Sequence, residues 1–593
     1  MTVPAEVQGR FRRPRFIAWC TPASGPSPPE SVAASLPDGT VQELSGGGWS
    51  LRIATSGAAR TGTDPSGRVT VLLQGETFDA TESDPAAIAE LYLLHGDDFP
   101  NYMTGTFGLL ALDRAEGRLF AVTDLPRSRR MYVSRVDGSY CITNDLLTQP
   151  THRFKLDPVA IGWILANKAV FMGRTLFDGV QILRRTAIHD LRVDGIESNE
   201  YWDYSPGVPD HSGVDPDRCS TELEALLETA LRRVTRDEPD IFLSLSGGYD
   251  SRGIACFLGD RLGVSGVRAI SYTPDADSPM EEIERAGWTA ARLGFEHRVL
   301  AGFTGDLMRH MRVNAEWGES MSRVCDELDA WLEQSAAFAD VAHPVMLAGD
   351  MNFGLGDPDP QDREELVRAA RFRSLELPLG LERVLPAATL QTLNDGIWSD
   401  FDQMLARTEG LESLHAKRAY VTFDQRMSNT AMPWRERFAG RFAAVRNPWL
   451  DADLVKYMSR VPYALRYDRR LFKDTLGRLF PTEFAHGRVQ GSTQPNLRAA
   501  FQASAPEVRR WIRKSTSRLD DLIPPDFGLR LLDAETKVLG LARQRTRRIR
   551  DRIRVRALGN VQTKSPRPGP LPAAEVLRRW AVLRMALERP GNG

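Results

Sequence analysis

Six consecutive residues, Ser246-Gly247-Gly248-Tyr249-Asp250-Ser251, gather two serine hydroxyls, a phenol, a carboxylate and two glycines within a chain of 593 residues. An apolar run at 241–245 precedes them, and apolar residues return at helical spacing from about 249 to 258. The short run reads as a buried strand, because the glycines arrive before a helix has room to form. Bare glycine backbone lets a ligand approach the main chain closely. A strand, a glycine turn and a helix N-terminus bring free N–H groups and the helix dipole to one point, which makes an anion site. Ser244 on the strand and Ser246, Gly247, Gly248, Asp250 and Ser251 in the turn are its candidate ligands. The lysine of a Walker loop is missing, so the GxxxxGK[ST] reading fails. An ordinary glycine-rich turn is the plain alternative for these six residues taken alone.

Such a turn must be held by a sheet. Ahead of it, 223–234 places Leu223, Leu226, Leu227, Ala230, Leu231 and Val234 on one helical face. After it, 267–272 reads as a strand and 280–293 as a helix. That alternation predicts a parallel sheet with ligands at the carboxyl ends of its strands. Another strand runs into Gly349 and Asp350, and beyond it the pattern is helical over 364–373, 387–405, 414–428, 452–461 and 469–480. Towards the N-terminus, 1–15 is a polar arm. Short strands follow at 16–20, 49–54, 69–73, 106–112, 119–122 and 131–136, with a helix at 86–95. Many short strands and one helix predict a layered α/β or α+β domain. A helix and its exit at 156–172 lead to a Pro-, Gly-, Ser- and Asp-rich linker at 203–217.

Composition sets modest bounds. The length implies more than one domain, and 42% hydrophobic residues can fill the cores. A formal charge of −2 gives no global case for nucleic-acid or membrane binding. Cys20, Cys141, Cys219, Cys256 and Cys325 lack CxxC spacing, which argues against a zinc site or disulfide scaffold and fits a reducing cytoplasm. No signal peptide or membrane-spanning run is expected. The basic run at 543–556 reads as a solvated helix face or as a patch for acidic peptides or phosphates. A kinked linker at 566–572 and a final amphipathic helix at 574–587 close the chain.

The SGGxDS motif after a strand resembles the pyrophosphate loop of the ATP pyrophosphatases, which cleave ATP to AMP and pyrophosphate. The resemblance implies that the loop serines and glycines hold pyrophosphate and that Asp250 binds Mg2+. Other stretches narrow it to the asparagine synthetase family. QGETFD at 74–79, the stretch from Tyr92 to Asp113 ending in TGTFGLLALD, and DLPRSRRMY at 124–132 with 141–145 resemble that family's N-terminal glutaminase domain. MEEIERAGWTAARLGFEH resembles the helix that runs beneath the nucleotide, with Glu282 at the family's glutamate. VMLAGDMNFGLG at 345–356 resembles V-L-S-G-E-G-x-D-E-x-F-G-G, so Gly349 and Asp350 match the glycine and first acid near the reacting acyl carbon. In a related β-lactam-forming branch a tyrosine and a glutamate carry the catalysis instead. Asp350 there would deprotonate an amine or hold it in line for attack. In 439–461, Arg446, Pro448, Leu450 and Asp451 match, and a structural helix–loop corner is the favoured role for them.

Departures from the family are equally informative. Residue 2 is Thr2 where the glutaminase uses cysteine, and Gln74 replaces the oxyanion asparagine, so glutaminase chemistry is expected to be lost. Phe353 stands where a second, magnesium-binding acid is expected, and Met351 replaces a glycine; Asp357 or Asp359 would be displaced ligands. The family lysine that stabilises charge as AMP or pyrophosphate leaves aligns with Val489, leaving Arg488 or Lys473 to supply the cation.

The resemblance therefore implies a degenerate Ntn-hydrolase-like α/β domain at 1–150, a connector at 151–217, and a PP-loop, adenine nucleotide α-hydrolase-like synthetase domain with extra helices at 218–593. It implies an AMP-forming ATP-dependent carbon–nitrogen ligase acting on a small-molecule or peptide carboxylate and an amine. β-Lactam synthetases and lasso peptide cyclases share the lost glutaminase, which favours a natural-product amide ligase, with a leader peptide or accessory protein as partner. An asparagine synthetase fed by ammonia or glutamine, and a non-catalytic nucleotide-binding scaffold, remain open alternatives.

Overall fold

The computed structural model describes residues 15–589 apart from 26–38, 58, 80, 205–213, 237, 275–280, 340, 342, 352, 357–359, 371, 374, 377–378, 486–495 and 537–570. The arm at 1–14, the candidate Arg488, and the basic run at 543–556 lie outside the described residues.

The first twelve strands are β1 (Arg15–Pro22), β2 (Thr40–Gly46), β3 (Trp49–Ser56), β4 (Arg60–Thr63), β5 (Val69–Thr77), β6 (Gly105–Asp113), β7 (Arg118–Thr123), β8 (Tyr132–Val136), β9 (Ser139–Thr143), β10 (Val180–Ile182), β11 (Ala187–Leu191) and β12 (Ile196–Glu200). They form two six-stranded antiparallel sheets, ordered β10-β8-β9-β1-β3-β2 and β12-β11-β7-β6-β5-β4. Phe16, Ala18 and Cys20 of β1 meet Leu110 and Leu112 of β6 between the sheets, as period-two side chains of stacked sheets do. The opposite face of the second sheet carries Val71, Leu73 and Leu109 against Ile88 and Tyr92 of the helix Pro85–His95. Asp84 starts that helix by accepting from Ala86 N at 3.0 Å, with Pro85 in the first turn. β2, β4 and β9–β12 have no counterpart among the strands expected from sequence. β2 and β12 are largely exposed, so no buried apolar alternation marks them. The last three fall within 151–217 and complete both sheets.

The parallel sheet comprises β13 (Ile241–Ser244), β14 (Arg268–Thr273), β15 (Glu296–Ala301), β16 (Val345–Leu347) and β17 (Ala444–Arg446), ordered β15-β14-β13-β16-β17. Leu243 packs with Leu223, Leu227 and Leu231 of the helix Pro216–Thr235, whereas Phe242 faces Ile270, Trp331 and Phe338 on the other side. Both faces are covered, as helix-flanked parallel sheets require. From β13 the chain goes to β14 on one side, and later to β16 on the other. That reversal opens a crevice at the carboxyl ends of β13 and β16, the usual ligand position in such sheets.

Two helical expectations change. The helix expected at 414–428 is Leu414–Val421 followed by a π-helical stretch, Thr422–Ala431. The final helix, Ala573–Ala586, is not amphipathic in its setting but buried nearly all round. Trp580 and Leu583 enter the apolar core, while the buried Arg578, Arg579 and Arg584 pair with Asp326, Glu575 and Asp520. Among the described residues no helix is long and apolar enough to cross a membrane.

The two halves are joined by guanidinium groups on the segment 432–446. Arg437, fully buried, pairs with Glu319 and donates to Tyr132 Oη at 3.2 Å and to the Asn144 carbonyl at 2.9 Å. Arg446 pairs with Glu76 at 3.0 Å and Glu238 at 2.8 Å. Removing one member of a buried pair strands the other in low dielectric, so Arg437→Met should destabilise the fold by about 3–5 kcal/mol. Urea unfolding followed by fluorescence checks this, and adding Glu319→Gln to that variant should recover part of the loss.

Candidate functional site

A cleft of about 1400 Å³ opens at the carboxyl ends of β13 and β16. Ser244, Ser246, Gly248, Asp250, Ser251, Gly349 and Asp350 line it, so most of the sequence-predicted site residues converge here. The 246–251 turn is internally braced. Ser246 N donates to Ser251 Oγ at 2.9 Å, Gly248 N donates to Ser246 Oγ at 3.2 Å, and the two hydroxyls are 3.1 Å apart. The helix Tyr249–Cys256 begins at Gly248 without a side-chain cap, which leaves N-terminal N–H groups for an anion. Two glycines here sit in little space. A Cβ on Gly247 would stand 2.7 Å from the Glu282 carbonyl oxygen, and one on Gly349 would stand 3.1 Å from Asp250 C and Ser251 N. Glu282 is thereby set beside the turn on the cleft wall.

Asp350 accepts from Arg435 Nε at 2.8 Å. The Asn447 amide, turned with its NH₂ group towards them, donates to Asp350 Oδ2 at 2.9 Å and to the Ala348 carbonyl at 3.0 Å. Trp434 is flanked by two guanidiniums, Arg435 at 4.6 Å and Arg323 at 4.5 Å from its ring centre. Burial works against the charge on Arg435, but Asp350, with help from Tyr272 and Glu327, outweighs it and raises the guanidinium pKa. Glu327, on the same wall, is pushed above the usual carboxylate range by burial, with Arg323 and Arg435 opposing.

Asp250 pairs with Arg469 Nη1 at 2.6 Å, and its carbonyl accepts from Trp449 Nε1 at 2.9 Å. Phe353 is 1% exposed and packs edge-on against Phe472 with ring centres 5.3 Å apart. Asp357 and Asp359 lie outside the described residues. Among the described residues, no three His, Cys, Asp or Glu side chains gather to hold a metal. The described residues do not fit the metal implied at Asp250: its carboxylate is engaged by a guanidinium, and a buried phenyl stands where the resemblance leads one to expect a second acid.

Lys473 pairs with Asp468 at 2.6 Å and stands 5.8 Å from the Tyr249 ring centre, beside the turn but not on the cleft wall. Arg446 serves the domain interface. Asp451 pairs with Arg233 at 3.0 Å and caps the helix Ala452–Arg460 through Asp453 N at 3.0 Å. The far wall of the cleft was not foreseen from sequence. Lys168, Arg373, Arg498, Glu535, Glu575 and Arg579 come together there from segments more than 400 residues apart. No motif or spacing signals them, since only tertiary packing unites them. Burial opposes ionisation of Glu575, yet Arg578, Arg579 and Lys168 hold its pKa down at about 2.

A doubly covered parallel sheet with a glycine-rich turn at its switch point defines a nucleotide-binding enzyme of the α/β class. The sequence model of the asparagine synthase family matches residues 222–554, more than half of the chain, and the chain belongs to that family of ATP-utilising ligases. No curated protein matches the chain. Among solved structures, glutamine phosphoribosylpyrophosphate amidotransferase from B. subtilis, complexed with ADP and GMP, is 11% identical. That match covers 49% of this chain and 91% of that chain at a TM-score of 0.23. The NH3-dependent NAD synthetase of Campylobacter jejuni subsp. jejuni, in complex with nitrate, is 14% identical, covering 32% of this chain and 96% of that chain at a TM-score of 0.18.

Two outcomes follow from this geometry. Gly247→Ala must displace the Glu282 backbone and should weaken ATP binding by roughly tenfold in calorimetry, about 1.4 kcal/mol, whereas Gly477→Ala, with open space around its Cβ, should not. The folded pKa of Glu575 lies below its ordinary 4.5, so its stabilisation is complete above about pH 4.5 and is lost as pH falls towards 2. The thermal midpoint of the wild type should therefore fall towards that of Glu575→Gln across this window.

Proposed function

We propose that this chain is an ATP-dependent amide ligase that activates a carboxylate as an acyl-adenylate and passes the acyl group to an amine. The observation that carries the reading is the apposition of the 246–251 turn and Asp350 across one crevice, with Gly349 pressed against Asp250 and Ser251. A carboxylate oxygen attacks the α-phosphorus and pyrophosphate leaves towards the turn. The amine nitrogen then attacks the acyl carbon, AMP departs, and the amine proton passes to Asp350. The oriented N–H groups at the helix start stabilise the negative charge that collects on the leaving phosphates. Arg435 and Asn447 hold Asp350 in place.

Glutamine is not the amine source in this proposal. Gln74, at the position of the family's oxyanion asparagine, is 2% exposed and donates to Glu436 at 3.3 Å, so the synthetase domain covers that surface. The cleft exceeds the roughly 300–1,000 Å³ of ordinary small-molecule pockets, which favours a bulky second substrate beside ATP. A peptide carboxylate and amine, as in lasso peptide cyclisation, or a β-lactam precursor, fits this room, with a leader peptide or accessory protein as partner. The enzyme acts in the cytoplasm, where ATP is supplied.

The test is ATP–pyrophosphate exchange with pools of amino acids, carboxylates and precursor peptides, beside calorimetric titration with ATP. Exchange should require one acyl substrate and persist in Asp350→Asn, while amide formation falls by about 10²–10⁴-fold. Glutamine should release no glutamate. Aspartate-dependent exchange with asparagine as product would instead establish an asparagine synthetase, and ATP binding without exchange in any pool would leave the scaffold reading.

A further inference from the structure

The family's second metal-binding acid is replaced by Phe353, and the loop that carries it has a different task in this chain. A Cβ on Gly354 would stand 1.8 Å from the Arg466 carbonyl oxygen, and one on Gly356 would stand 2.5 Å from Asp468 Oδ1. Asp468 N also donates to the Leu355 carbonyl at 3.0 Å. The 353–356 loop is thus packed directly beneath the turn 466–469. Within that turn Asp468 and Arg469 are consecutive non-glycine residues at positive φ, +48° and +58°. Left-handed backbone at two such residues persists only where the surroundings hold it, and it concentrates at functional sites. Its result here is to aim Arg469 at the glycine turn, where Nη1 meets Asp250 at 2.6 Å.

Arg469 has donors to spare. A guanidinium carries five N–H groups in a planar fork that matches phosphate oxygens. Among the described residues, only Nη1 has partners, Asp250 and, at 3.9 Å, the Met351 sulfur.

Resting on the ligase reading above, we propose that Arg469 takes the place of a metal ion at the pyrophosphate loop. Its guanidinium bridges Asp250 and the polyphosphate, so the site binds pyrophosphate without a divalent cation. Asp250 is then a positioning residue for Arg469 rather than a metal ligand.

The experiment is calorimetric titration of the full chain with pyrophosphate and with α,β-methylene-ATP, in EDTA and in excess magnesium. Pyrophosphate affinity in EDTA should lie within about threefold of that in magnesium, and Arg469→Ala should lose about a hundredfold of it, partly restored by Arg469→Lys. Asp250→Asn decides the matter if Arg469→Ala fails to fold. It keeps the shape of the side chain and frees the guanidinium, so metal-free binding should hold or tighten. Pyrophosphate binding that appears only with magnesium and vanishes in Asp250→Asn overturns the inference and leaves the ligase reading standing. Failure of the wild type to bind either ligand under both conditions overturns that reading, and the inference with it.

Discussion

The segment 432–446 constrains both halves of the molecule. Arg435 looks into the cleft and holds Asp350, while Arg437 and Arg446 reach the other way and meet Glu319, Tyr132 and Glu76. A buried guanidinium is tolerated only when its charge and donors are matched. Such pairs add little net stability over an apolar core, but they specify one arrangement of the groups that make them. The antiparallel sandwich therefore supplies the partners that fix the segment carrying Arg435. The N-terminal sandwich thus has a structural task in holding this segment, whatever chemistry it carries.

The cleft is built by charge balance at both ends. At the end formed by the 246–251 turn, helix N–H groups and Arg469 offer positive potential, and Asp250 offsets it. At the far wall, Lys168, Arg578 and Arg579 surround Glu575. Burial pulls the Lys168 pKa down, and Glu575 works to raise it. Ions placed in this way cost little to hold while paired, and they re-pair with a charged substrate without first being dehydrated from bulk water.

Much of this was legible locally. The strand, turn and helix around Ser246–Ser251 can be read because apolar run, glycines and helical periodicity follow one another within 18 residues. The strands that carry Phe16, Ala18, Leu110 and Leu112 are legible as short apolar runs between turns, but not which side meets the other sheet, since Ile17 and Leu109 are equally apolar. β10–β12 were not, because three to five residues give too short a pattern, and β10 and β11 obtain their pairing from residues 46 to 72 positions away. Arg435, Arg469, Glu327 and Glu575 were not legible either. Single charged residues on helices and turns look solvated until the fold shows what faces them.

Phe353 and Arg469 have to be understood as one change. Phe353 sits in the apolar cluster with Phe472 and Leu476, so a carboxylate restored there would be buried without a partner, or would drag the loop outward. Pulling the loop outward would in turn open the close contacts of Gly354 and Gly356 with 466–469, the turn that aims Arg469. A single substitution back to an acid thus undoes the guanidinium before it can supply a metal ligand. Under the proposed ligase reading, Phe353 and Arg469 together answer one electrostatic demand, the charge of pyrophosphate at the 246–251 turn, by a guanidinium in place of a second acid and its metal.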